Sequence, residues 1–109
     1  IKSYDFAVQI IKFFKYKKKK KKEFVLSKQL LRCGTSIGAN IEEAIGGQSG
    51  KDFFAKLTIS YKEARETHYW IRLLKDTDYL SVEEADSLLK DVDELLRIIG
   101  SIQKKLRNS

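Results

Sequence analysis

The sequence predicts an all-α protein whose four helices form an up-down-up-down bundle. Apolar residues recur at steps of three and four along nearly the whole chain, which is the spacing of amphipathic helices. Proline, which breaks helices, is absent, and the interruptions between helical stretches are short, as in antiparallel bundles. The length of 109 residues is that of one domain. We therefore expect one domain over residues 1–109, with helices at about 3–18, 24–46, 49–76 and 81–107.

The first two predicted helices are recognised by their apolar faces. In the first helix, the inward residues are Phe6, Ile10, Phe13 and Phe14. The second helix has a similar stripe, formed by Leu26, Leu30, Cys33, Ile37, Ile41 and Ala44.

The third predicted helix begins after Gly46 and Gly47, with Ser49 and Asp52 as its start signal. It ends near Asp76. The centre of its stripe is small, so a neighbouring helix can approach closely there. The stripe consists of Phe53, Leu57, Ser60, Ala64, Thr67, Ile71 and Leu74.

The fourth predicted helix begins with a capping box, Ser81 followed three residues later by Glu84. Its apolar face is the most regular of the four, and Leu89 and Leu96 widen it. The predicted face contains Ala85, Leu88, Val92, Leu95, Ile99, Ile102 and Leu106.

The surplus positive charge lies in the first 22 residues, which hold nine lysines and one acid, Asp5. The remaining 87 residues hold 13 basic and 14 acidic side chains and are nearly neutral. A local cationic segment of this kind favours binding to phosphates. The candidate nucleic-acid-binding residues are Lys12, Lys15, Lys17, Lys18, Lys19, Lys20, Lys21 and Lys22, of which the last six form the lysine run (residues 17–22).

Composition excludes several classes of protein. Apolar residues make up 42% and charged residues 34%, which is typical of a globular chain. The single cysteine, Cys33, excludes an internal disulfide and fits a reducing compartment. No apolar run reaches the ~18 residues of a membrane-spanning helix, and no signal peptide is visible. We expect a cytoplasmic protein.

A polar row follows one face of the second helix, where Arg32, Ser36 and Asn40 are spaced four apart, with Gln29 and Glu43 beside them. This row is either the solvated face of the helix or a hydrogen-bond network that is buried or lies at an interface. Because Asn and Ser are poor helix formers, something other than helix formation accounts for them. Gly34 and Gly38 have the same spacing and are compatible with a close helix–helix approach.

These residues resemble the proteins named for intervening sequences of 23S ribosomal RNA. The similarity covers about residues 4–107 and is specific from Leu26 to Leu74. Its signature is an Arg, a Ser four residues later, then Asn-Ile and an acid before a small residue. It matches the stretch Arg32-Cys33-Gly34-Thr35-Ser36-Ile37-Gly38-Ala39-Asn40-Ile41-Glu42-Glu43-Ala44 and continues from Ser49 to Trp70.

The resemblance implies a left-handed four-helix bundle that assembles into ring-like homo-oligomers, typically pentamers, without enzymatic activity. Genes of the family lie within inserted segments of ribosomal RNA genes or stand alone. A related branch, the accessory proteins of diversity-generating retroelements, forms basic pentameric barrels, binds nucleic acid and partners a reverse transcriptase. The family usually has a proline-containing connection before Glu23, where this chain has its lysine run. The resemblance therefore does not account for the run.

The lysine run has three interpretations: contact with nucleic-acid phosphates, a solvated loop, or attachment to anionic lipid aided by Phe13, Phe14 and Tyr16. The core needs those aromatics, which disfavours the lipid interpretation. No aromatic interleaves the run, so we expect unspecific binding through phosphates.

Catalysis, metals and cofactors are not indicated. His68, the only histidine, has no metal-ligand spacing around it, and Cys33 lacks a nucleophile motif. Glu63 and Glu66 resemble di-iron ligands, but such sites need two Glu-x-x-His pairs.

Two function classes follow. The first is a non-catalytic accessory or scaffold protein that binds RNA or DNA, and the second is an adaptor that docks a partner enzyme such as a reverse transcriptase. In both, the aromatic residues Tyr61, Tyr69 and Trp70 exceed what one small bundle buries easily, so we expect them at an interface between copies.

Overall fold

The computed structural model describes residues 2–20, 25–47 and 49–108, with the side chains of residues 16–20 and 25 outside that description. The predicted all-α class is confirmed, because these ranges hold four α-helices and no strand. Each predicted bound lies within two residues of the observed one. The helices are α1 Lys2–Lys20, α2 Val25–Ile45, α3 Gly50–Asp76 and α4 Val82–Arg107.

Both predicted helix starts with polar caps are present. The Ser49 hydroxyl accepts a hydrogen bond from the backbone N–H of Asp52 at the start of α3. At the start of α4, the Glu84 N–H donates to the Ser81 hydroxyl, and the Ser81 N–H donates to the Glu84 carboxylate. These bonds satisfy backbone donors that the first helical turn leaves without partners. Asp78, in the turn between the two helices, has a φ of 66°, a left-handed conformation that aspartate tolerates.

One hydrophobic core contains buried residues from all four helices. The predicted stripe of α3 is buried from Leu57 to Leu74, while Phe53 at its start is partly buried. In α1, Phe13 packs partly buried against the core, which leaves less of its ring for a lipid surface. The described helices are long and thin as a group, with overall dimensions of 47 × 21 × 20 Å.

The predicted face of α4 is correct as far as Ile99 and wrong beyond it. Ile102 and Leu106 are 36% and 38% exposed, and Gln103 is buried in their place. The Gln103 side-chain amide donates to the Thr58 hydroxyl of α3 at 3.0 Å. Ile102 lines an open groove together with residues of α1, α2 and α3, whereas the Gln103 side chain contacts α3. The contact with α3 therefore covers the Gln103 side of these α4 turns.

The paired glycines of α2 lie where α1 crosses it closely. A Cβ atom on Gly34 would stand 3.1 Å from the Ile10 side chain, and one on Gly38 would stand 3.3 Å from the Ser3 carbonyl oxygen. Both separations are shorter than ordinary van der Waals contact. The absence of a side chain at these glycines therefore allows α1 to pack closely on α2, at the cost of a lower helix propensity.

None of the helices in the described ranges is apolar over the length that a membrane span requires.

Candidate functional site

The lysine run begins as a continuation of α1, whose backbone remains helical to Lys20. Lys12 and Lys15, three residues apart and therefore on the same side of α1, are both exposed. The side chains of Lys17, Lys18, Lys19 and Lys20, and the whole of Lys21 and Lys22, lie outside the described residues. The lysine run therefore continues a helix whose preceding turns carry two exposed lysines, Lys12 and Lys15.

The position of this basic end follows from contacts between helices. Ile10 of α1 lies against Gly34 of α2, and Ser3 lies against Gly38, so later residues of α1 lie beside earlier residues of α2. Arg32 of α2 bonds Glu66 of α3. The Lys20 end of α1 therefore lies at the same end of the molecule as the last turns of α3.

Arg32 is the centre of a hydrogen-bond network between α2 and α3. Its guanidinium donates to Glu63 at 3.2 Å, to Glu66, and to the side-chain oxygen of Gln29 at 3.3 Å. The Trp70 indole N–H donates to the same Glu66 oxygen at 2.8 Å. The Arg32 side chain takes part in this network and remains 48% exposed.

The rest of the polar row forms local bonds and one further link between α2 and α3. The Ser36 hydroxyl donates to the Arg32 carbonyl oxygen at 2.8 Å, and the Asn40 amide donates to the Ser36 carbonyl oxygen at 2.9 Å. Glu43 bonds the Lys56 ammonium of α3 at 2.8 Å, and this hydrogen bond raises the pKa of Lys56. We call Arg32, Glu43, Lys56, Glu63 and Glu66 the α2–α3 seam.

Cys33 is fully buried beside this seam and points away from solvent. Burial raises the pKa of its thiol to about 11, because the interior disfavours the thiolate. Since the thiolate is the reactive form of cysteine, the structure gives Cys33 the character of a core residue.

His68 has a carboxylate partner that the sequence does not reveal. Its Nε2 lies 3.2 Å from an Asp93 carboxylate oxygen, which joins α3 to α4. The two residues are far apart in the chain, and only the packing of α3 on α4 brings them together. No cluster of three or more potential metal ligands occurs among the residues that the structure describes.

The three aromatic residues predicted at an interface differ in exposure. Tyr61 and Trp70 are partly buried against the core of their own chain, whereas Tyr69 is 49% exposed. The Tyr69 and Trp70 rings meet edge to face, with centroids 5.1 Å apart and an interplanar angle of 75°. Of these three residues, only Tyr69 presents a large open ring surface, and the expected interface between copies stays a prediction.

An open groove of about 630 Å³ lies between α3 and α4 beside Tyr69. We call its residues the α3–α4 groove; they are Arg65, Glu66, His68, Tyr69, Arg72, Asp93 and Leu96, of which Glu66 also belongs to the α2–α3 seam. Arg65, Tyr69 and Arg72 are exposed and follow each other at steps of four and three, which places them on one side of α3. The sequence pattern that indicates this groove is an aromatic residue placed between two arginines at helical spacing.

A second groove, of about 440 Å³, is almost entirely apolar and lies where α4 extends past α1. Exposed isoleucines line it, including Ile45, which is 66% exposed, and the misassigned Ile102. We call Ile41, Ile45, Phe53, Ile98 and Ile102 the apolar groove. Surfaces of this kind commonly contact another protein.

Comparison with known proteins identifies a family and a closely similar solved structure. Residues 1–101 match the family described as 23S rRNA-intervening sequence protein. A crystal structure from Bacteroides thetaiotaomicron, of a protein with unknown function from the S23 ribosomal protein family, superposes with a TM-score of 0.93 and 50% sequence identity. The match covers 94% of this chain and 95% of that one. No curated protein matches the chain. The chain belongs to the 23S rRNA-intervening sequence protein family.

Proposed function

We propose that this protein is a non-catalytic accessory or scaffold protein that binds RNA or DNA through the basic end of α1. The observation that carries the proposal is the continuation of α1 as a helix into the lysine run, next to the exposed Lys12 and Lys15. The first 22 residues hold a surplus of eight positive charges beside a nearly neutral remainder. The positive charge is therefore concentrated in one segment of the chain.

The chemistry of this segment favours phosphate contact over the recognition of bases. The lysine ammonium is a compact charge at the end of a flexible side chain. A run of lysines meets phosphates by charge, and it lacks the fixed planar donors that distinguish base edges. The expected binding is insensitive to sequence and falls steeply with salt, because each contacted phosphate releases counterions.

A non-catalytic role agrees with the chemistry of the candidate nucleophile. Cys33 is buried with its pKa raised to about 11. We place the protein in the cytoplasm, where a reduced, buried cysteine is compatible with the redox conditions.

We further propose a left-handed, up-down-up-down bundle whose copies assemble into a ring, most simply a pentamer. The contacts of Ile10 with Gly34 and of Arg32 with Glu66 support antiparallel neighbours. The exposed isoleucines of the apolar groove support assembly, because contact with another copy would remove them from water. In a ring, one lysine run per copy would raise the affinity for a long polyanion through multivalency.

The second candidate function is that of an adaptor for a partner protein, such as a reverse transcriptase, without a nucleic-acid role. The apolar groove favours this candidate, because it offers exposed isoleucines and few polar groups. Contact at such a surface would not weaken with salt as phosphate contact does. A partner retained in high salt and after nuclease treatment would support the adaptor.

The deciding experiment measures the affinity of the full chain for labelled RNA and DNA from about 50 mM salt upward. Replacing the six lysines of the run by glutamine should abolish binding at low salt and flatten its salt dependence. The matched control replaces six exposed cations elsewhere with glutamine, so that the net charge changes equally. These are Lys28, Lys51, Lys90, Arg97, Lys104 and Lys105.

The two six-residue variants separate a local binding site from a general effect of net charge. The proposal expects the control to keep most of the affinity. Equal losses in both variants, or no binding by the unmodified protein at about 50 mM salt, would contradict it.

A further inference from the structure

The α3–α4 groove combines two arginines with an exposed aromatic ring. Arg65 and Arg72 are seven residues apart, which corresponds to about 10 Å along a helix axis. Tyr69 lies between them on the same side of α3. Arginine is suited to bidentate contact with phosphate oxygens, and a tyrosine ring is suited to stacking on a base.

The carboxylates of the groove are already engaged. The Glu66 carboxylate accepts from Arg32 and from the Trp70 indole N–H, and Asp93 lies against His68. Arg65 and Arg72, in contrast, make no ion pair with any residue in the described part of the chain. The groove therefore presents two guanidinium groups that are available to an anion.

Tyr69 is held in place and still leaves half of its surface open. Its ring meets the edge of Trp70, and the Trp70 indole is fixed by its bond to Glu66. The Arg72 guanidinium carbon lies 5.9 Å from the Tyr69 ring centroid, and Arg72 Nε donates to the His68 carbonyl oxygen at 3.4 Å. An aromatic ring with restricted motion loses less conformational freedom when a base stacks on it.

We propose that the α3–α4 groove binds a short segment of single-stranded nucleic acid, with a base on Tyr69 and flanking phosphates on Arg65 and Arg72. The inference rests on the proposed nucleic-acid function and gives it a second contact surface. A single strand is required because its bases are accessible for stacking on a side chain. The last turns of α3 and the Lys20 end of α1 lie at the same end of the molecule, so one polyanion can engage both surfaces.

An acidic peptide is the competing occupant, and the open ring distinguishes the two ligands. Carboxylates would need the arginines alone, whereas a nucleotide uses the arginines and the ring together. The test therefore separates the contribution of the base from that of the phosphate. It uses two probes of about 20 nucleotides, an oligothymidylate and an abasic strand of equal charge.

The variants are Tyr69→Leu, Tyr69→Phe and the double change Arg65→Gln with Arg72→Gln. Tyr69→Leu should weaken binding of the oligothymidylate about tenfold, because stacking on one base is lost. It should leave binding of the abasic strand unchanged, and Tyr69→Phe should behave as the unmodified protein. The double arginine change should weaken both probes, and the matched change Arg97→Gln with Arg107→Gln should weaken them less.

Failure of this inference and failure of the proposed function give different results. If Tyr69→Leu binds the oligothymidylate as tightly as the unmodified protein, the groove is not the stacking site, while the lysine-run variant still tests the proposed function. If Tyr69→Leu alters the number of subunits in light scattering, the groove is an interface between copies and the inference is wrong. Retention of the fold in each variant is checked by circular dichroism.

Discussion

Helix α3 separates two regions that use their charged residues differently. On one side, the α2–α3 seam pairs Arg32 with Glu63 and Glu66, and Lys56 with Glu43. On the other side, the α3–α4 groove, which Glu66 also lines, leaves Arg65 and Arg72 without an ion pair among the described residues. The paired charges of the seam help to align the helices, whereas the arginines of the groove are available for a ligand. The comparison separates residues that support the fold from residues that are candidates for function.

The largest effect should come from breaking the close packing behind the α2–α3 seam. Ser60 is fully buried, and its hydroxyl donates to the Ile37 carbonyl oxygen of α2 at 2.9 Å. Ser60→Leu inserts a branched side chain where the helices approach closely and removes this bond. We expect a loss of about 2–4 kcal/mol in the free energy of unfolding, measured by denaturant titration.

The matched control for Ser60→Leu is Ser101→Leu on the exposed side of α4. An exposed substitution of this kind should change the free energy of unfolding by less than about 0.5 kcal/mol. Equal stability of Ser60→Leu and the unmodified protein would mean that α2 and α3 do not pack closely there.

An intermediate effect should appear in alkaline solution at Cys33, which lies beside the same seam. Burial raises the pKa of the thiol from 9.0 to about 11, so the folded state favours the neutral form. This contribution to stability is complete below pH 9.0 and is lost as the pH rises toward about 11, because the unfolded chain releases the proton first.

The measurement at Cys33 is the difference in unfolding free energy between the unmodified protein and Cys33→Ala across that pH range. Taking the difference removes the titration of lysines and tyrosines, which is common to both proteins. The difference should shrink as the pH rises. A difference that stays constant would contradict a raised pKa at Cys33.

The features predicted well from sequence are those that depend on residues close together in the chain. The capping box at Ser81 needs only a residue three positions later, and the stripe of α3 needs only a regular stride. Helix number and helix bounds follow from the same local information.

The features that the sequence did not reveal depend on how far neighbouring helices extend and on which side they lie. Periodicity placed Ile102 on the apolar face of α4, but it carries no information on where a second helix covers that face. The contacts His68–Asp93 and Arg32–Glu66 join residues that are distant in sequence. The difference in exposure between the adjacent residues Tyr69 and Trp70 also depends on the packing of α3.

The comparison is tested most directly by removing one charged residue from each side of α3. Glu66→Ala deprives Arg32 and the Trp70 indole of a shared acceptor, so we expect a loss of about 1–2 kcal/mol in the free energy of unfolding. Arg65→Ala removes an exposed side chain without an ion pair to a described residue, and the change should stay within about 0.5 kcal/mol.

Binding of a single strand should follow the opposite order to stability. Arg65→Ala should weaken retention of the oligothymidylate at low salt while the fold is unaffected, because it removes a phosphate contact. Glu66→Ala releases the Trp70 indole that restrains Tyr69 but also removes a negative charge that lines the groove, so it should weaken retention less than Arg65→Ala at a temperature where the variant remains folded. If Arg65→Ala were the more destabilising change, or Glu66→Ala the more damaging to binding, the division of α3 into a structural side and a ligand side would be wrong.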